Sequence, residues 1–270
     1  MPPVTLTRAV RFCTGPAETP PAGGMGYSGR PGMGEVGAFH EMSVRCEGEI
    51  GPKTGYLVDI KAIDQAVREH AAPIIAHGHA NPAGVTAHAL MAGCLGALAG
   101  ALPGIFRAVR WNPSPYHAFE MSTAAPQTVL IAQRYDFAAA HRLHAPTLSD
   151  EENRRLYGKC NNPRGHGHNY QFEPRVAVPL STQGPPAFTH ARLTSLCEAT
   201  LIKPFDHTHL NEDTREFNTA LGGLIPSVEN IARVFYERLA KALAAEPGSP
   251  RLVSMTVWET DRTSATWAPG

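Results

Sequence analysis

The apolar positions of this chain change period several times, and each change marks an element. From Gln171 to Val178 apolar and polar residues alternate, which fits a strand paired antiparallel with a neighbour. After Pro226-Ser227 the period becomes helical: Val228, Ile231, Phe235 and Leu239 fall on one stripe, and Glu229 sits in the first turn, where the helix dipole favours a carboxylate. In the first half Asp59 can cap a helix whose Ile60, Ile63 and Val67 share a face, with the turns ending near Pro73. The apolar run from Val85 to Ile105 is long enough for a membrane span. It is mostly Ala and Gly, contains His88 and meets Pro103, so it reads as a buried helix of a soluble protein.

These elements recur. Phe12 in AVRFCTGP resembles Phe137 in QRYDFAAAHRL, and GAFHEMSV around His40 resembles GHGHNYQF around His168. IIAHGHAN, with His77 and His79, matches PFDHTHLN, with His207 and His209; VTAHALMAG parallels PSVENIARV, and VRWNP parallels TVWET. Matches in the same order along both halves imply a duplication, read here as domains 1–125 and 126–270 joined by the Pro-containing stretch Ser122 to Thr128. Each half runs strand, polar loop, strand, two helices, final strand. The expected class is α+β, with each domain an antiparallel four-stranded sheet carrying two helices on one face. Four strands close no barrel alone, so the sheet is expected to continue into neighbouring subunits.

Composition narrows the function classes. Across 270 residues, 43% are hydrophobic, and 24 Lys+Arg balance 24 Asp+Glu, which leaves no net field for nucleic acid or anionic lipid. The expectation is no nucleic-acid partner and no membrane. The cysteines Cys13, Cys46, Cys94, Cys160 and Cys197 are odd in number in a chain too long to need stapling, and the N-terminus lacks a signal-like apolar stretch. A cytoplasmic protein with reduced thiols is expected.

Chemistry concentrates in FAAAHRLHAPTLSDEENRRLYGKCNNPRGHGHNY. His166 and His168 are two apart and share a face of an extended strand, while Gly165 and Gly167 leave room beside them. His141 ends a separate strand, and a third imidazole from there would give three nitrogen ligands and an open fourth position, as catalytic zinc requires. Cys160 lies in a Gly-Lys-Cys-Asn-Asn turn, where nearby cations would favour the thiolate as base or nucleophile. Two other readings stay open: a fourth ligand closing a structural zinc site, or an inert thiol. Cys197, within a helix, reads as inert. Asp206-His207 follows a helix, where the carboxylate can orient the imidazole for proton transfer. Glu259 shares parity with Val253, Met255 and Val257, which puts a carboxylate on a buried strand face; its partner is either a flat heterocycle with adjacent N–H groups, an Arg, or solvent at the strand end.

From Phe137 onward the chain resembles the 6-pyruvoyl tetrahydropterin synthase family, which includes bacterial 6-carboxytetrahydropterin synthases and shares the tunnelling fold. FAAAHRL, SDEEN, LYGKCNNPRGHGHNY, IKPFDHTHLN, PSVEN and VWET carry the likeness, and TGYLVDIKAIDQAV is the best-kept segment of the first half. The resemblance implies a zinc lyase acting on 7,8-dihydroneopterin triphosphate: His141, His166 and His168 on zinc, Cys160 abstracting a proton, Asp206 and His207 as relay, and Glu259 anchoring the pterin. Ser227 and Glu229 match the other pterin-contacting turn. Arg142, Arg154, Arg155, Lys159 and Arg164 are triphosphate candidates. The spacing between Cys160 and His166 looks like the pyruvoyl-forming branch; the carboxy-forming reaction on the same substrate and a noncatalytic pterin-binding module are the alternatives.

The first half departs from the pattern. Pro16 is expected where His141 stands, Ala38 for His166, Ala76 for Asp206 and Asn112 for Glu259, with His40 and His77 retained, so that half builds no equivalent zinc site. The family's Thr-Gly turn is replaced by Gln183-Gly184-Pro185-Pro186, with His190 at the helix start. A homo-oligomer is implied, a trimer of fused pairs being the arrangement expected.

Overall fold

The computed structural model describes residues 3–15, 36–181 and 184–269. Pro16 and Gln183 lie outside them. Packing divides the chain into two units, residues 1–131 with 178–187, and residues 132–177 with 188–270. Both are α+β. Among the described residues no helix is long and apolar enough to cross a membrane.

In the first unit β1 (Val4–Thr14) and β2 (Ala38–Gly48) pair antiparallel in unbroken register, with Phe12 opposite His40 and Thr14 opposite Ala38. Val10, Phe12 and Thr14 alternate inward in β1, as do His40, Met42, Val44 and Cys46 in β2. Asp59 caps α1 (Ile60–Ala66) by accepting from the Lys61 N–H at 2.9 Å, as expected. Ile63 and Val67 are buried, but Ile60 is exposed, because the first helical residue lies beyond the edge of the packed face. The helix does not stop at Pro73. A π-helical turn, Val67–Ala71, widens the coil, and α2 (Ala72–Ala80) continues with Pro73 in its first turn, where a missing N–H costs little. Thr86 caps α3 (Ala87–Ala101), which buries Met91, Cys94 and Leu98. β3 (Phe106–Ser114) returns against β2, and β4 (His117–Ser122) against β3, giving four antiparallel strands with the helices on one face.

β5 (Thr128–Gln133) carries the chain across the division. The second unit opens with β6 (Tyr135–His141) and, after α4 (Asp150–Tyr157), pairs it antiparallel with β7 (His166–Pro179), so that His141 stands opposite His166 and Ala139 opposite His168. Thr189 caps α5 (His190–Cys197), whose His190 Nε2 lies 3.0 Å from the Ala132 carbonyl. A π-helical turn leads to α6 (Lys203–Phe205), then β8 (Thr208–His209), parallel to β6, and α7 (Leu210–Asp213). Ser227 caps α8 (Val228–Leu243), as the stripe predicts, and Val228, Ile231, Phe235 and Leu239 are all buried. β9 (Arg251–Thr260) pairs with β7, and β10 (Thr263–Trp267) with β9. Phe235 is the centre of the core, with ring centroids 5.1 Å from Phe137, 5.4 Å from Phe172 and 5.1 Å from Phe205.

One buried polar residue holds the segment between β6 and β7. Ser149 and Glu152 close a capping box at the start of α4. Asn153 then turns inward, fully buried: its Oδ1 accepts from the Ala145 N–H at 2.8 Å, and its Nδ2 donates to the carbonyls of Ala145, Leu148 and Ser149, each at 3.0 Å. Asn153→Ala leaves these groups without their partner and is expected to lower stability by about 2 to 4 kcal/mol in chemical denaturation. A loss below about 0.5 kcal/mol, the range of an ordinary surface change, would show that the staple is dispensable.

Candidate metal centre and active site

Three imidazoles meet at the open end of the second unit's sheet. His141 ends β6, His166 and His168 begin β7 two residues apart, and one ligand nitrogen from each lies within 4.8 Å of the others. The period-two expectation holds. His141 is fully buried, and its Nδ1–H donates to the Pro226 carbonyl at 2.7 Å, which leaves the Nε2 lone pair directed at His166. The two Nε2 atoms are 3.2 Å apart. Two nitrogens bound tetrahedrally to one zinc ion at about 2.05 Å stand about 3.3 Å apart, so the pair is spaced for a shared ion. His168 Nε2 is buried without a hydrogen-bond partner in the protein. A buried polar nitrogen left unmatched is costly, and a metal would match it. Burial holds His141 down to about 4, helped by its three histidine neighbours and opposed by the Pro226 carbonyl; burial and His168 also lower His166. Neutral rings are what a metal needs.

Local backbone makes the convergence possible. Gly165 has φ 70°, and a Cβ there would come within 2.6 Å of His209 Nε2 and 2.9 Å of the His141 carbonyl, so only glycine admits β7 this close to β6. Glu259 brings a half-buried carboxylate, with Oε1 3.4 Å from His141 Nε2 and 3.7 Å from His168 Nε2. Its parity with the buried Met255 and Val257 holds. Val253 departs, because a register shift in the pairing of β7 with β9 rotates the strand before that point. No arginine pairs with Glu259 among the described residues.

Cys160 is placed by a backbone bond. Its carbonyl accepts from the Leu143 N–H at 2.9 Å, two residues beyond His141, which pins the 3-10 turn Gly158–Asn161 beside the histidines. The half-buried thiol lines an open cleft of about 580 Å³ with His166, yet Cys160 is not a member of the cluster of ligand atoms. Cys197 is buried, and burial pushes its thiol up to about 12, which fits an inert role.

Asp206 and His207 form their own pair: Asp206 Oδ1 accepts from the Ala138 N–H at 2.8 Å and Oδ2 from His207 Nδ1–H at 2.7 Å. The first of these bonds, more than the second, holds the Asp206 carboxyl below its usual range. His207 adopts φ 56° and points out to solvent. It lines a second cleft with His168 and His209, and Cys160 is not in that lining. One cleft thus bears the thiol with His166, and another bears His207 with His168. Ser227 and Glu229 begin α8 next to Pro226; Ser227 serves as helix cap, and Glu229 is exposed. Sequence reasoning missed Pro226, Tyr170, whose hydroxyl lies 3.3 Å from His141 Nδ1, and His209, whose buried Nδ1 has no partner.

The first unit keeps the same register with other chemistry. Thr14 stands opposite Ala38 as His141 stands opposite His166, and Phe12 opposite His40 as Ala139 opposite His168. By register, Thr14 stands in β1 where His141 stands in β6; Pro16 is outside the described residues. Trp111 is buried opposite Met42 and faces His40, as Glu259 faces His168. Trp111 Nε1–H donates to His40 Nδ1 at 3.2 Å, so His40 carries its proton on Nε2 and donates to Thr14 Oγ1 at 2.8 Å; the Thr14 hydroxyl lies 3.0 Å from His79 Nδ1. His40 keeps no lone pair for a metal. Burial, then His79, lowers it to about 4.

Residues 130–269 match the family model of 6-pyruvoyl tetrahydropterin synthase. A protein of Poecilia reticulata named 6-pyruvoyl tetrahydrobiopterin synthase is 38% identical over 115 residues, covering 43% of this chain and 76% of the relative. Its namesake from Homo sapiens is 35% identical over 131 residues, covering 48% and 85%. The solved structure of 6-pyruvoyl tetrahydropterin synthase from Caenorhabditis elegans is 31% identical and covers 53% of this chain and 96% of that one, with a TM-score of 0.47.

Elemental analysis of the purified chain is expected to give one divalent ion per chain. His168→Ala should remove it, and His40→Ala should leave it in place. Two ions per chain, or loss in His40→Ala alone, would contradict this assignment.

Proposed function

Through residues 130–269 the chain belongs to the 6-pyruvoyl tetrahydropterin synthase family, and on that premise we propose that the second unit is a zinc-dependent lyase converting 7,8-dihydroneopterin triphosphate to 6-pyruvoyl tetrahydropterin with release of triphosphate. The observation that carries the reading is a three-nitrogen cluster beside a thiol that shares a cleft with His166 but does not belong to the ligand set. A closed structural site would take that thiol as fourth ligand.

His141, His166 and His168 would hold the ion. Bound zinc would supply Lewis acidity, polarising the oxygens of the substrate side chain and so acidifying the adjacent C–H bonds. The remaining work belongs to side chains. Cys160 takes a proton from the side-chain carbon presented to its cleft. His207, oriented by Asp206, delivers or accepts a proton in the cleft it shares with His168. The C–O bond to triphosphate breaks by elimination, with no water consumed. Glu259 anchors the pterin ring through its adjacent N–H groups, and Ser227 and Glu229 line the turn that receives it.

The first unit is read as a degenerate duplicate, residues 1–125, joined to a catalytic domain, 126–270. Its inward face has exchanged a metal site for the hydrogen-bonded chain from Trp111 to His79. A trimer of fused pairs would let the inert units complete the assembly. The five free cysteines suit a reducing cytoplasm.

Zinc-loaded protein incubated with 7,8-dihydroneopterin triphosphate should release triphosphate and give a pterin whose mass retains the three-carbon side chain. A product with that chain lost as acetaldehyde would assign the carboxy-forming reaction instead, and unchanged substrate would overturn the activity. Cys160→Ala should keep its zinc and lose turnover by about a hundredfold or more. A monomer mass at micromolar concentration would contradict the trimer.

A further inference from the structure

Two cations face the cleft at Cys160, and neither is committed to a carboxylate. Arg154 lies in the last turn of α4; Gly158, at φ 51° and ψ −123°, ends that helix and reverses the chain, so that Lys159 follows onto the same cleft. Both line it together with Cys160 and His166. Among the described residues neither side chain makes an ion pair or hydrogen bond. The other basic candidates differ. Arg142 donates from Nε to Asn161 Oδ1 at 3.1 Å and lies 3.3 Å from His144 Nδ1, while Arg155 and Arg164 do not line the cleft.

Like charges that share a cleft repel one another until an anion enters between them. A guanidinium fork beside an ammonium suits phosphate oxygens: the fork can engage two at once, and the ammonium adds a compact charge. Glu259, the carboxylate nearest the histidines, is absent from this lining, so no fixed acid competes for the pair. We propose that Arg154 and Lys159 form a polyphosphate subsite beside Cys160. The identity of its occupant as the substrate's triphosphate arm rests on the activity proposed above. Held there, the phosphates tether the side chain so that its reactive carbons lie between the thiol and the histidines. Arg155, one residue along the helix, faces away and contributes nothing.

The test reads occupancy without turnover. Cys160 of the metal-loaded protein is alkylated with iodoacetamide, and the modified peptide is followed by mass with and without inorganic triphosphate, added as its magnesium salt; bound metal is measured afterwards. At about ten times its dissociation constant, triphosphate should slow alkylation about tenfold in the wild type. Arg154→Gln/Lys159→Gln should lose that protection while keeping its metal, and the charge-keeping Arg154→Lys/Lys159→Arg should restore most of it. Arg155→Gln should behave as wild type. No protection in the wild type, equal protection in the neutral double variant, or equal loss in Arg155→Gln would overturn the subsite. Protection without conversion of the pterin substrate would instead overturn the proposed activity and leave the anion site standing.

Discussion

The chemistry of the second unit depends on which way one buried ring faces. His141 is fully enclosed, and its Nδ1–H reaches the Pro226 carbonyl at 2.7 Å. That carbonyl belongs to the residue before the Ser227 cap, at the head of the helix whose Val228, Ile231, Phe235 and Leu239 fill the core. Core packing therefore sets the tautomer of His141. With Nδ1 protonated and burial holding the ring neutral, a single lone pair remains on Nε2, aimed at the two imidazoles of β7. Turning that ring over would leave the Pro226 carbonyl without its donor and the cluster without its third nitrogen.

The same strand register supports opposite outcomes in the two units. Where β6 presents His141 and β9 presents Glu259, β1 presents Thr14 and β3 presents Trp111. Thr14 and Trp111 each close a hydrogen bond on His40, so the imidazole at that register position has both nitrogens occupied. A metal site needs unmatched lone pairs held at a fixed spacing; a plugged site needs every one matched.

Much of this was legible in the chain because it follows from short-range periodicity. His166 and His168 share a face by the two-residue repeat of a strand, and Ser227 caps α8 because a hydroxyl before an apolar stripe satisfies the first free N–H groups. What escaped depended on through-space or irregular geometry. Asn153 sits among charged residues, where nothing in the spacing marks it as buried, yet it is fully enclosed. Pro73 reads as a stop, yet a π turn carries the helix past it. Trp111 and Trp258 match as letters, but Trp111 is buried beside His40 whereas Trp258 lies under the Arg134 guanidinium. The separation of Cys160 from His207 into two clefts is likewise invisible to spacing along the chain.

X-ray absorption at the zinc edge of the ligand-free, zinc-loaded chain tests the central claim most directly. Three imidazole nitrogens and one light oxygen at about 2.0 to 2.1 Å, with no sulfur in the shell, are the result this account predicts. A sulfur at about 2.3 Å would mean that the Cys160 thiol is bound to the ion and cannot serve as a base, which contradicts it.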